Sequence, residues 1–192
     1  MKPDSATPVA FDVGLHAKFL STRERGRKML HDMEDCVSPG DSLLKIDFTA
    51  VEAMTVSFTD EFLGKYYSAL ATQDDGPVTV FVTGLNDDTR ETIIICFERR
   101  ELIALEQLGD ELTLLAASDV LKATFELAKE LETFTATTIS ERLGITAPNA
   151  NNRLKRLVAA RALIRKRGVA ERGGKEFTYC TPQRAISSPM PV

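Results

Sequence analysis

Leu43-Leu44-Lys45-Ile46-Asp47-Phe48-Thr49-Ala50-Val51-Glu52-Ala53-Met54-Thr55-Val56-Ser57-Phe58-Thr59-Asp60-Glu61-Phe62 changes its hydrophobic period part-way along. Leu43 to Phe48 is short and almost continuously apolar, the pattern of a strand buried on both faces. From Ser57 on, Phe58, Phe62, Leu63, Tyr66, Tyr67 and Leu70 recur at three- and four-residue spacing. That spacing predicts an amphipathic helix over residues 57–71. A strand, a polar loop and a helix in this order are the repeating unit of an α/β layer.

The same alternation continues on both sides. Upstream, Ser21-Thr22-Arg23-Glu24 has the form of a capping box, Ser then Glu three residues on, and opens a helix to about Cys36. Met29, Leu30 and Met33 share one face of it. Pro39-Gly40-Asp41 reads as a turn. Downstream, Asp74-Asp75-Gly76-Pro77 is a turn before a second buried strand, Val78 to Thr83. Asn86-Asp87-Asp88 can cap a third helix over residues 87–105, and Leu112 to Ala116 reads as a last short strand. Residues 1–10 are polar, contain two prolines and are expected to be poorly ordered.

Charge divides the chain in the same way. The 192 residues carry a formal net charge of -4, but residues 1–117 hold 11 Lys+Arg against 21 Asp+Glu, and residues 118–192 hold 13 against 7. An acidic front and a basic back suggest two modules with different partners. Composition also excludes classes of function. No apolar run approaches the ~18 residues of a membrane span. The start, Met1-Lys2-Pro3-Asp4-Ser5, lacks a signal-peptide core. Cys36, Cys96 and Cys180 are scattered and odd in number, as expected of thiols in a reducing cytoplasm. With only His16 and His31 available, neither a zinc site nor a histidine-based triad is expected. No phosphate-binding glycine loop is present, and no cofactor is expected. Asp60 and Glu61 are adjacent, so on a helix they point about 100° apart and do not converge as a catalytic pair. The chain is therefore not expected to be an enzyme.

In the basic part, Ser118-Asp119 starts a helix whose buried stripe is Leu121, Phe125, Ala128 and Leu131. Thr133 to Thr137 reads as a polar connection. Ile139 to Ile145 is a short helix closed by Gly144. Thr146-Ala147-Pro148 then caps and starts a third helix to about Leu163, with Ala150, Leu154, Leu157 and Val158 inward. Two short strands around Glu171-Arg172-Gly173-Gly174-Lys175 form a hairpin. Residues 146–176 hold nine Lys+Arg and two Glu. On a helical wheel, Asn149, Asn152, Lys155 and Arg156 lie opposite the core stripe, with Arg153 on the flank. Asn151 falls to one side and is expected to pack on the second helix. Asparagine and arginine can each bond a base edge in two places, and cations neutralise phosphates. Arg165, Lys166, Arg167, Arg172 and Lys175 add phosphate or minor-groove contacts from the hairpin. Phe177 and Tyr179 are expected to pack the hairpin onto the third helix.

Two resemblances follow from these residues. Leu15 through Ala117 resembles the STAS-like family, the small α/β fold of anti-sigma-factor antagonists. It does so on Thr22-Arg23-x-x-Gly26 and on the stretch from Ile46 to Phe62. The resemblance implies that Ser57 matches the serine phosphorylated by a partner kinase, with Thr55, Val56 and Phe58 standing where the family has Asp, Ser and Gly. Ser57 also reads simply as a helix N-cap, with Asp60 returning the capping interaction. Residues 119–181 resemble the winged helix-turn-helix family, on Ile139-Ser140-x-x-Leu143-Gly144-Ile145-Thr146 and the leucine spacing that follows. The expected architecture is α/β plus α+β: a disordered residue 1–10 segment, a STAS-like domain over 11–117, a winged helix domain over 118–182, and a disordered tail over 183–192.

Together these imply a bacterial, cytoplasmic, DNA-binding transcriptional regulator that uses its STAS-like domain for protein interaction or as a homodimer. The alternative is a signalling adaptor that makes no DNA contact and is bound or phosphorylated at Ser57 by an ATP-binding anti-sigma-like kinase.

Overall fold

The computed structural model describes residues 8–38, 42–73, 76–169 and 175–182. It is a mixed α/β structure. In chain order it contains β1 (Pro8–Asp12), a 3-10 turn (Val13–Leu15), β2 (Phe19–Leu20), α1 (Arg23–Glu34), β3 (Leu43–Asp47) and β4 (Ala53–Met54). Next come α2 (Val56–Thr59), a π turn (Asp60–Gly64), α3 (Lys65–Leu70), β5 (Thr79–Thr83), α4 (Asp87–Arg99), β6 (Ala104–Leu108) and β7 (Glu111–Leu115). The basic part supplies α5 (Asp119–Glu130), α6 (Ala136–Leu143), α7 (Ala147–Ala159), β8 (Ile164–Val169) and β9 (Lys175–Cys180).

Five strands form one sheet in the order β1-β3-β5-β6-β7. The first four are parallel, and β7 is antiparallel to β6. Strands laid down in sequence, with crossovers of one hand, put every crossover helix on the same face. Leu44, Ile46, Val80 and Val82 accordingly share a core with residues of α1 to α4, such as Met33, Phe58, Phe62 and Phe97. The alternate side chains, Leu43, Phe81, Leu105 and Leu114, belong to a second core. Its other members include Leu121 and Phe125 of α5, Ile139 of α6, and Ala150, Leu154 and Leu157 of α7. The chain passes from the acidic to the basic part at Ala117–Ser118, and the core is continuous across that point.

Several boundaries differ from the sequence reading. Residues 8–10, expected to be disordered, form part of β1, paired in parallel with β3. This is an edge strand of only five residues that begins with proline, so it carries little period-2 signal. The first helix is capped by Thr22 rather than Ser21, with Thr22 Oγ1 accepting from Arg25 N. The helix expected over 87–105 ends at Arg99, and Ala104–Leu108 is β6. Glu101 adopts a left-handed conformation (φ 55) that stops the helix, after which Leu102-Ile103-Ala104-Leu105 is free to form a buried strand. The second basic-part helix starts at Ala136 because Thr135 and Thr138 cap one another's backbone N–H groups. The third ends at Ala159, where Arg161 (φ 56) turns the chain into β8. The hairpin pairs Ile164 with Cys180 through Val169 with Lys175. Its turn, like the tail over 183–192, lies outside the described residues.

Two local constraints hold the acidic part. The loops before α1 and α2 are clasped together by β2 and β4, with Thr55 N donating to Leu20 O at 2.9 Å. This sets the starts of the two helices side by side. Gly26 then faces α2 so closely that a Cβ would lie 2.7 Å from Phe58 O and 2.9 Å from Glu61 Cβ. The Thr22-Arg23-x-x-Gly26 and Ile46–Phe62 stretches are therefore two sides of one contact. On the far side, Glu106 of β6 is 2 % exposed and is held by Arg90 of α4, with Nε 3.0 and 3.2 Å and Nη2 2.9 Å from its carboxylate.

Gly26→Ala is expected to destabilise the chain by about 1–3 kcal/mol through overpacking, read as a lower urea midpoint with unchanged slope. Arg90→Ala, which strands the Glu106 carboxylate, should cost about 3–5 kcal/mol in the same assay, while a loss under 1 kcal/mol would show that the pair is hydrated.

Candidate nucleic-acid interface

The turn between α6 and α7 is set by the six residues Ser140 to Ile145. Gly144 takes φ 63 and two bonds close the turn around it: Ile145 N donates to Ser140 O at 3.0 Å, and Ser140 Oγ donates to Ile145 O at 2.6 Å. A left-handed residue here is unstrained only as glycine. Thr146 occupies the N-cap position of α7, but its side chain makes no capping bond. Ala150, Leu154 and Leu157 are buried, so Asn149, Asn152, Lys155 and Arg156 are left exposed on the opposite side, as the wheel requires.

Two neighbours on α7 behave differently from expectation. Arg153 is not a free flank residue. Its Nε donates to Asn149 Oδ1 at 2.9 Å, and its Nη1 donates to Thr124 Oγ1 at 3.2 Å and Val120 O at 3.4 Å. It binds α7 to α5 and positions Asn149. Asn151 does not pack on α6. It is exposed and donates Nδ2 to Ala147 O of its own helix at 3.0 Å.

The hairpin cations separate by strand alternation. Arg165 and Arg167 lie opposite Tyr179 and Phe177 and share their face. Arg165 places its guanidinium 4.7 Å from the Phe177 ring centroid. Lys166 points the other way, into a cavity of about 520 Å³ beside Glu130 and Glu132 at the end of α5. Tyr179 is buried and stacks on Phe134, and the two residues exchange backbone hydrogen bonds of 2.8 and 3.0 Å. The hairpin is thus fastened to the α5–α6 connection, and Tyr179 belongs to the same core as Ala150, Leu154 and Leu157 of α7, with Phe177 packed against that core. Lys175 begins β9, and Arg172 lies outside the described residues.

In the acidic part, Ser57 is exposed within the first turn of α2. The cap is Thr55, whose Oγ1 accepts from Phe58 N at 3.3 Å, so the reading of Ser57 as N-cap is corrected. Asp60 does not return a capping bond either. It accepts from Arg100 Nε at 2.6 Å and from the Cys96 thiol at 3.7 Å. Glu61 is engaged separately, by Lys65 at 2.6 Å and Arg23 at 3.8 Å. The bond from Arg100 holds the Asp60 carboxyl below its ordinary range, and burial, reinforced by the nearby Asp60 charge, pushes the Cys96 thiol up to about 11. Cys96 is therefore an inert thiol. The helix widens into its π turn at this point, and Gly64 leaves room for Arg100, since a Cβ there would come within 2.9 Å of Nε.

Among the described residues no group of His, Cys, Asp and Glu could hold a metal ion, and no helix is long and apolar enough to cross a membrane. Comparisons with family models, curated proteins and solved structures found no match.

Because the folded-state pKa of Asp60 is lowered, its contribution to stability is present above the unfolded value of about 3.9 and is lost as pH falls through the folded one. Asp60→Asn should therefore destabilise the chain at neutral pH, and its difference from wild type should shrink in acid. A pH-independent difference in thermal midpoint would refute this assignment.

Proposed function

We propose that the chain is a DNA-binding transcriptional regulator. The reading is carried by one observation: Asn152, Lys155 and Arg156 of α7, with Arg165 and Arg167 of β8, are exposed, and none of the cations forms an ion pair among the described residues. A helix that offers amides and unpaired cations to solvent on one side, with its core side filled, suits the major groove. Arg165 and Arg167 extend the same charge as phosphate contacts. The three helices and hairpin support a winged helix reading of residues 118–182.

The acidic part is read as a STAS-like protein-interaction or dimerisation domain. The one-sided layer of helices on a parallel sheet supports this, as do Leu15 and Phe19, which are 84 % and 62 % exposed beside the clasped starts of α1 and α2. Two copies would present two reading helices to half-sites about one helical turn, or a multiple of it, apart. Their acidic sheet units would face away from the duplex.

The test is a salt-titrated gel shift against genomic fragments. Lys155→Ala and Arg156→Ala should each weaken binding and reduce the salt slope by about 1. Arg153→Ala should lower thermal stability as well, because it also unfastens α7 from α5. Wild-type affinity in both surface variants would defeat the reading. Phosphate incorporation at Ser57 by an ATP-binding kinase, with no duplex binding at low salt, would replace it with the adaptor.

A further inference from the structure

Where the acidic part meets α7, the surface forms a groove of about 400 Å³ between the end of α3 and the C-terminal half of α7. Leu70, Ala71 and Gln73 form one wall, and Lys155, Arg156 and Arg165 are on the other. The three cations converge on one concavity without a carboxylate partner among the described residues. Like charges held around a concave, partly apolar surface raise the local potential and draw in an anion. Arg167, two residues on along the same face of β8, lies outside the groove lining.

The opposite wall would ordinarily repel an anion, because it is the negative end of a helix. Arg161 removes that obstacle. Its Nη2 donates to Leu70 O, the last carbonyl of α3, at 3.4 Å and to Gln73 O of the loop that follows at 2.6 Å, so that end is already covered by a cation. The groove also adjoins a smaller cavity of about 100 Å³, with which it shares Ala71, Arg156 and Ala159. That cavity is lined by Tyr67, whose buried hydroxyl has no hydrogen-bond partner. The groove's volume lies in the range of small-molecule sites, and a duplex is too wide to enter between two helices.

We infer that this groove binds a small phosphate-bearing ligand, gripped by Lys155, Arg156 and Arg165. The consequence for DNA rests on the proposed function: Lys155 and Arg156 cannot serve the ligand and a duplex together, so the ligand competes with DNA.

Inorganic pyrophosphate is the probe, titrated calorimetrically into the full chain without DNA at fixed ionic strength. Saturable binding to one site per chain is expected. Arg156→Ala and Arg165→Ala should each weaken it about tenfold or more, the loss of one charge-assisted contact. Tyr67→Phe, which removes a buried donor without a partner, should raise the thermal midpoint of the free chain and leave pyrophosphate binding unchanged. Lys122→Ala, an exposed cation on α5, should change nothing. Binding that fails to saturate in the millimolar range, or that falls equally in Lys122→Ala, overturns the site. Pyrophosphate binding that persists where no duplex binds supports the site and removes only the DNA reading. Pyrophosphate that binds yet leaves the gel shift unchanged overturns the competition.

Discussion

A parallel sheet laid down in sequential order has a covered face and a bare one, and the rest of this molecule follows from that asymmetry. Four of the five strands are parallel and adjacent in chain order, so α1 to α4 all pack on one side. Leu43, Phe81, Leu105 and Leu114 would then meet water on the other. Parallel sheets are stable when both faces are covered. Here the second cover is the basic part, through Leu121 and Phe125 of α5 and the inner stripe of α7. The acidic and basic halves differ in charge, but the hydrophobic effect makes them share a core.

That shared core fixes where α7 stands. Lys129 Nζ donates to Leu112 O at 3.1 Å, and Arg161 reaches Leu70 O at the end of α3 and Gln73 O just beyond it. The polar side of α7 is consequently not uniform. Its N-terminal half carries the exposed Asn149 and Asn152. Its C-terminal half, with Arg156, borders the groove against Ala71 and Gln73.

The quoted stretch from Leu43 to Phe62 was a sound guide to the α/β layer, because burial on both faces leaves a continuous apolar run and a helix leaves a three-to-four period. The core stripes of α1, α5 and α7 were legible for the same reason. Two strands were not. The β1 strand is short, at the edge and headed by proline, and β6 follows a helix after only four residues, so its apolar run was read as helix. Caps were legible as types and not as positions: Thr22 and Thr55 cap where Ser21 and Ser57 offered equal chemistry. In the candidate interface, the exposure of Asn149, Asn152, Lys155 and Arg156 followed from the wheel. The engagement of Arg153 by Thr124 did not, since that partner lies on another helix.

The sequence by itself determined the alternation of strands and helices, the faces that must be buried, and the separation of negative from positive charge. These depend on local period and composition. Only the tertiary structure decided which cations are free. Arg153 and Arg161 are bound to α5 and α3, Lys166 turns away from its neighbours Arg165 and Arg167, and Arg156 stands at the junction of the two parts. Residues far apart in the chain make those assignments, because each depends on which carbonyl, hydroxyl or ring the folded backbone brings within reach.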